Sequence, residues 1–162
     1  MSGDSVIPIS KSKPRISPNS VSLAGEFGAL SRLALWGYDA NMTLGRTKSV
    51  DILVSNPTTN QLYQLEVKTN LRQERKRPPV SKLFGRFLSD WIMHEKHETI
   101  SRPNLWYCFV TITLESKVAR YFIVPSGIVA GYVQAEHRLW RDATPKGKET
   151  QMRLALKGQM LT

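Results

Sequence analysis

Apolar and polar positions change period along the chain, and each change marks an element. From Ser22 to Trp36 the apolar residues Phe27, Leu30, Leu33, Ala34 and Trp36 recur at helical spacing. This predicts a helix with Ser22 as its cap, Glu26 in its first turn and Gly37 at its end. Tyr38 to Leu44 then reads as a strand, and Val50-Asp51-Ile52-Leu53-Val54, rich in β-branched residues, as a second. Asn56-Pro57-Thr58-Thr59-Asn60 has the composition of a turn, and Leu62 to Thr69 returns as a third strand. From Asn70 to Pro79 the chain is polar and basic, with Pro78-Pro79 breaking regular structure. Lys82 to Ile100 reads as a helix or an irregular segment.

Leu105 to Thr113 and Arg120 to Val124 predict two further strands. Ser126 is placed to cap a helix running through Trp140, with Ile128, Val129, Tyr132 and Val133 on its apolar side. Met152 to Leu156 reads as a short strand or a loosely packed segment. This order predicts an α/β domain, a central mixed β-sheet of about four to five strands flanked by helices. The folded domain is expected over 21–162, behind a disordered Ser/Pro/Lys-rich tail over 1–20.

Composition narrows the class. The 162 residues suffice for one domain with a hydrophobic core, and an apolar fraction of 41% is ordinary for a folded protein. Twenty-three Lys and Arg against thirteen Asp and Glu give a formal charge of +10. That balance suits a polyanionic partner such as nucleic acid, although ribosomal and membrane-surface proteins share it. The single cysteine, Cys108, lies in the apolar run Leu105 to Val110 and reads as a core residue. It excludes an intrachain disulfide and a cysteine zinc cluster, and it fits a reducing, cytoplasmic setting. No apolar run approaches the ~20 residues of a membrane span, and the first residues lack the apolar stretch of a signal peptide.

The hairpin across Asn56 to Asn60 carries the chemistry. With its turn centred between Thr58 and Thr59, Asp51 falls opposite Glu66, where Cβ atoms are roughly 4.5–5.5 Å apart. Lys68 follows two residues after Glu66 and projects from the same face, while Leu65, Val67 and Thr69 point to the other. Two facing carboxylates repel unless a cation lies between them. As hard oxygen donors they can hold a divalent metal, which polarises a phosphate and activates water, with a lysine beside it to stabilise developing charge. Glu26 could add a further ligand or orient a water. The competing reading is structural: Asp51 on a solvated strand face, and Glu66 and Lys68 as an exposed ion pair worth ~0–1 kcal/mol.

At these residues the chain resembles the PD-(D/E)XK nuclease superfamily, the restriction-endonuclease-like fold. The matching segments are Gly25-Glu26-Phe27, Gly45-Arg46-Thr47-Lys48-Ser49-Val50-Asp51-Ile52-Leu53-Val54 and Leu65-Glu66-Val67-Lys68-Thr69. Val50 stands where the family's proline precedes the aspartate, a variable position. The resemblance implies that Asp51, Glu66 and the Val67 carbonyl hold Mg²⁺ or Mn²⁺. It further implies that Lys68 serves the attacking water, that Glu26 assists the metal site, and that DNA is cut to leave a 5′-phosphate. Many such enzymes dimerise to cut two strands, and no interface is legible here.

Arg46, Lys48, Arg72, Arg75, Lys76, Arg77, Lys82 and Arg86 flank the motif in sequence and are the candidate phosphate contacts. A solvated charged loop accounts for the same residues. His94, His97 and His137 read as residues on exposed helix faces, since no Glu-x-x-His pattern accompanies them. Trp91, Trp106 and Trp140 read as core. The alternatives to an enzyme are a non-catalytic nucleic-acid-binding or assembly protein on the same fold, and a ribosome- or RNA-associated basic protein.

Overall fold

The computed structural model describes residues 16–43, 50–73, 80–81, 85–86, 89–143 and 152–156. Its first element, helix α1 (Pro18–Leu35), starts before the expected cap. Ser17 fills that role in place of Ser22, its side chain accepting the Ser20 N–H at 3.1 Å. Proline at the first helical position has no N–H to lose and a φ already suited to a helix, so Ser17-Pro18 is itself the start signal. Glu26 consequently lies well inside α1, and the first turn holds no acidic residue.

The far end of α1 falls where glycine predicts. Gly37 takes a φ of 82°. The Tyr38 N–H reaches the Leu33 carbonyl at 3.1 Å and the Gly37 N–H that of Ala34 at 3.0 Å, the paired bonds of a glycine-ended helix. The buried row is Gly25, Ala29 and Leu33. Of the expected apolar side, Leu30 packs at the core margin, whereas Phe27 and Trp36 are 57% and 63% exposed and Ala34 is exposed too. Small residues at the first two buried positions draw the helix close onto the sheet.

The remaining elements are β1 (Asp39–Met42), β2 (Ile52–Asn56), β3 (Gln61–Arg72), β4 (Val80–Ser81), β5 (Gly85–Arg86) and β6 (Ser89–Met93), a 3-10 turn over Glu95–Glu98, then β7 (Leu105–Thr113), β8 (Ala119–Pro125), α2 (Ser126–Ala143) and β9 (Met152–Leu156). The central sheet has five strands in the order β1-β2-β3-β7-β8. β3 and β7 run parallel and the other neighbours antiparallel, so the sheet is mixed, as expected. β4 pairs with β5 and β6 with β9 in separate ladders. The segment 82–100, expected as a helix or irregular, thus contains β6 and the 3-10 turn. Ser89, Trp91 and Met93 are buried in alternation along β6, and the ladder partner comes from residues 152–156 at the far end of the chain.

Each sheet face carries one helix. On one side Ala29 and Leu33 of α1 join Ile52, Val54, Leu65, Val67, Cys108, Val110 and Ile112, with Trp106 at the margin. On the other, Val129 and Val133 of α2 join Tyr107, Phe109, Trp91 and Met93. Ile128, expected on the apolar side of α2, is 65% exposed. The Trp140 side chain lies outside the described residues. No helix among the described residues is long and apolar enough to cross a membrane.

The β2–β3 hairpin has the expected register, from Asn56 opposite Gln61 to Ile52 opposite Leu65. The Asn56 side-chain carbonyl accepts the N–H groups of Thr58 at 2.9 Å and Thr59 at 3.3 Å, and Asn60 takes a left-handed φ of 55°. Side chain and backbone together set the turn length, and the turn length sets the register.

Candidate active site

β3 divides its side chains between the two cores. Leu65 and Val67 enter the α1 side, while Glu66 and Lys68 emerge on the α2 side, level with Tyr107 and Phe109 of β7. Glu66 is 3% exposed, so the exposed ion-pair reading fails for this residue. Its carboxylate pairs with Lys68, whose side chain keeps 28% exposure. The His97 ring faces the same oxygen, Oε1, with Nε2 at 3.7 Å. Glu66 Oε2 has no hydrogen-bond partner.

Asp51 stands just outside the ladder. Strict antiparallel pairing would set its charge opposite Glu66; instead the chain bends there and the side chain turns to a peptide group. Its Oδ2 accepts the Val67 N–H at 2.7 Å. The Asp51 backbone is held on both sides, its N–H donating to the Leu65 carbonyl at 2.8 Å and its carbonyl accepting the Thr43 N–H at 2.9 Å. Thr43 Oγ1 adds a bond to the Val50 carbonyl at 2.7 Å. Asp51 is therefore fixed between the end of β1 and the middle of β3.

Glu26 reaches this end of the sheet from α1, where Ser22 Oγ donates to its Oε1 at 2.9 Å. Its charge is felt at Asp51. Burial chiefly raises the Asp51 pKa, with Glu26 and Glu66 adding to the rise; the Val67 N–H and Lys68 oppose it. For Glu66 burial acts in the same direction, but the His97 ring and the Lys68 ammonium outweigh it and bring the group from 4.5 to about 2. Burial and the adjacent Glu66 also raise the pKa of the Tyr107 phenol.

A pH dependence follows from Glu66. Its folded value is depressed, so its contribution is present above the unfolded value and is lost as pH falls from 4.5 towards 2. Urea denaturation in EDTA should show wild-type stability falling through this window. Glu66→Gln should lack that part of the decline; an unchanged acid profile would refute the assignment.

Among the described residues no group of three or more His, Cys, Asp or Glu is arranged to hold a metal. Beside Lys68 a cleft of about 500 Å³ runs along Asn70, Arg72 and Gln73, with Asp90 and Trp91 on its other wall. Arg72 is ion-paired with Asp90 across it. The other candidate phosphate contacts, Arg46, Lys48, Arg75, Lys76, Arg77 and Lys82, lie outside the described residues, as does the Arg86 side chain.

Two residues of the site escape sequence reasoning. His97, expected on an exposed helix face, is 1% exposed and abuts Glu66. Tyr107 is fully buried beside the same carboxylate. No spacing links either residue to Glu66; the parallel β3–β7 pairing and the turn after β6 bring them there. His137 is half-buried and pairs with Glu98, and His94 is exposed.

No protein-family model and no curated protein matches the chain. Among solved structures it is similar to a bacterial homing endonuclease, I-Ssp6803I, at 12% sequence identity and a TM-score of 0.49, over 89% of this chain and 78% of that one.

Proposed function

We propose that the chain is a metal-dependent endonuclease of the PD-(D/E)XK type that hydrolyses DNA phosphodiester bonds. The carrying observation is the seat of Asp51, whose carboxylate takes the Val67 N–H at 2.7 Å and so lies against the Glu66-Val67-Lys68 segment. Glu66 Oε2 is buried there without a partner. An orphaned carboxylate oxygen beside a second carboxylate of raised pKa fits a hard divalent cation. Mg²⁺ and Mn²⁺ suit such oxygen donors, and Mg²⁺ commonly takes one or two carboxylates and leaves the rest to water and substrate phosphate, so a third acidic ligand is not required.

Asp51 and Glu66 would hold the ion. The N–H and C=O of one strand residue face the same neighbour, so the Val67 carbonyl opens towards Asp51 and would serve as a third oxygen. The bound metal would supply Lewis-acid polarisation of the phosphate and a water of lowered pKa. Lys68, partly exposed and lining the cleft, would orient the attacking water or donate to a non-bridging phosphate oxygen. Glu26 would orient a water from the helix side. The formal charge of +10 supports a polyanionic substrate and salt-sensitive binding.

A second reading, a non-catalytic nucleic-acid-binding module of the same fold, is favoured by one observation. Lys68 already neutralises Glu66 without a metal. Cleavage of plasmid, linear and branched DNA with and without Mg²⁺ or Mn²⁺ separates the two. The endonuclease reading expects metal-dependent nicking, reduced at least ~10²–10³-fold by Lys68→Ala and by Glu66→Ala. Salt-sensitive binding with no cleavage, indifferent to both substitutions, would leave the binding module.

A further inference from the structure

Glu66 uses its two carboxylate oxygens unequally. Oε1 meets both the Lys68 ammonium and His97 Nε2, the latter at 3.7 Å. Oε2 meets no hydrogen-bond donor. The two groups on Oε1 differ in freedom: the Lys68 side chain is 28% exposed and that of His97 1%. If Lys68 turns to water or phosphate during the reaction, His97 is the group left to hold Oε1.

The imidazole is delivered by a local device. His94 caps the 3-10 turn Glu95–Glu98, and its backbone N–H lies 3.0 Å from His97 Nδ1. The His94 carbonyl oxygen is also 3.0 Å from Nδ1, so the tautomers differ in what each leaves unpaired. A proton on Nδ1 would strip the His94 N–H of its acceptor and turn the Nε2 lone pair towards a carboxylate. A proton on Nε2 satisfies both groups. The ring is braced edge-on by Tyr107, with centroids 6.0 Å apart. Glu98 ties the same turn to α2 through His137.

We propose that His97 is a positioning residue whose Nε2–H holds Glu66 Oε1, so that Oε2 is presented beside Asp51 to a divalent cation. This inference rests on Glu66 being a metal ligand. At 3.7 Å the contact is longer than a hydrogen bond. Hydrogen bonds in unloaded sites are often long and tighten on loading, and a cation held by Glu66 would leave His97 Nε2–H to hold Oε1. Partners that orient a metal ligand typically change metal affinity by ~10–100-fold when removed.

The test is Mn²⁺ titration of the full chain, followed by the spin resonance of free Mn²⁺, for wild type, Glu66→Gln, His97→Phe and His97→Gln. It is joined by imidazole ¹⁵N spectra of wild type with and without Mg²⁺. His97→Phe should weaken Mn²⁺ binding ~10–100-fold, and His97→Gln, which restores an N–H near the position of Nε2, should recover most of the loss. The spectra should show a proton on His97 Nε2, and Mg²⁺ should move that resonance more than those of His94 and His137. Wild-type Mn²⁺ affinity in His97→Phe, with Glu66→Gln impaired, overturns the role of His97 alone. A bare Nε2 does the same without any variant, which keeps the question open to test if His97→Phe does not fold. Undiminished binding in Glu66→Gln overturns the metal-site reading beneath it.

Discussion

Asp51→Asn should abolish metal-dependent cleavage while making the metal-free protein more stable. The Asp51 pKa is raised chiefly by burial, with Glu26 and Glu66 adding to the effect against the Val67 N–H and Lys68. A carboxyl whose folded pKa is raised destabilises the fold when it ionises, so at neutral pH the charge of Asp51 works against folding. Asparagine keeps a carbonyl oxygen to accept the Val67 N–H, bonded at 2.7 Å in the parent, and carries no charge. In EDTA the thermal midpoint should rise; a gain of ~1 kcal/mol corresponds to about 2–4 °C for a domain of this size. Wild type should gain stability when Mg²⁺ or Mn²⁺ is added, and Asp51→Asn should not. Cleavage should fall at least ~10²–10³-fold. A variant less stable than wild type in EDTA would mean that the hydrogen bond, rather than the charge, dominates at this position.

Gly25→Ala should be the most damaging substitution that touches no charged group. A Cβ at Gly25 would lie 2.8 Å from both Cβ and Cγ2 of Thr69, and nearer still to Oγ1. The Thr69 Cβ is anchored to β3, so the collision is relieved only by moving α1 away from the sheet. Overpacking of this kind costs about 1–3 kcal/mol. The same movement carries Glu26, the next residue, away from Asp51, so activity should fall together with stability. Thr69→Ala in the Gly25→Ala background removes Oγ1 and Cγ2 but leaves the 2.8 Å contact with Cβ, and should restore stability only in part. Urea denaturation of both chains measures this; a Gly25→Ala protein as stable as its parent would show that α1 tolerates a wider spacing.

What could be read in advance was what depends on near neighbours. The hairpin register followed from the turn chemistry of Asn56 to Asn60, whereas Asp51, expected to face Glu66, lies just outside the ladder with its side chain on the Val67 N–H. β7 matched its predicted span because its apolar run is bounded clearly. The start of α1 was misplaced because Ser17-Pro18 sits in a Ser/Pro-rich stretch that resembles a tail. β6 was missed because its ladder partner is β9, far along the chain. His97 escaped for the same reason: its burial depends on Glu66, Tyr107 and the turn after β6, and an i, i+3 histidine pair announces none of these. The unlike treatment of Asp51 and Glu66, one pKa raised and the other lowered, arises from three-dimensional surroundings and has no local sequence signature.

The parallel pairing of β3 with β7 has a consequence for how the protein is made. The β2–β3 hairpin is a local structure, of the kind that forms in microseconds. Its partner on the other side arrives only with residues 105–113, after a long intervening segment has been closed into a loop. Until then Glu66 lies on an open edge, in water, without Tyr107 beside it. A nascent chain that has emerged as far as residue 104 holds Asp51, Glu66 and Lys68 and lacks the β7 wall beside Glu66. On the proposed endonuclease reading, activity would be withheld until the second half of the domain docks, and a truncated product of interrupted synthesis would carry Asp51, Glu66 and Lys68 without the β7 wall.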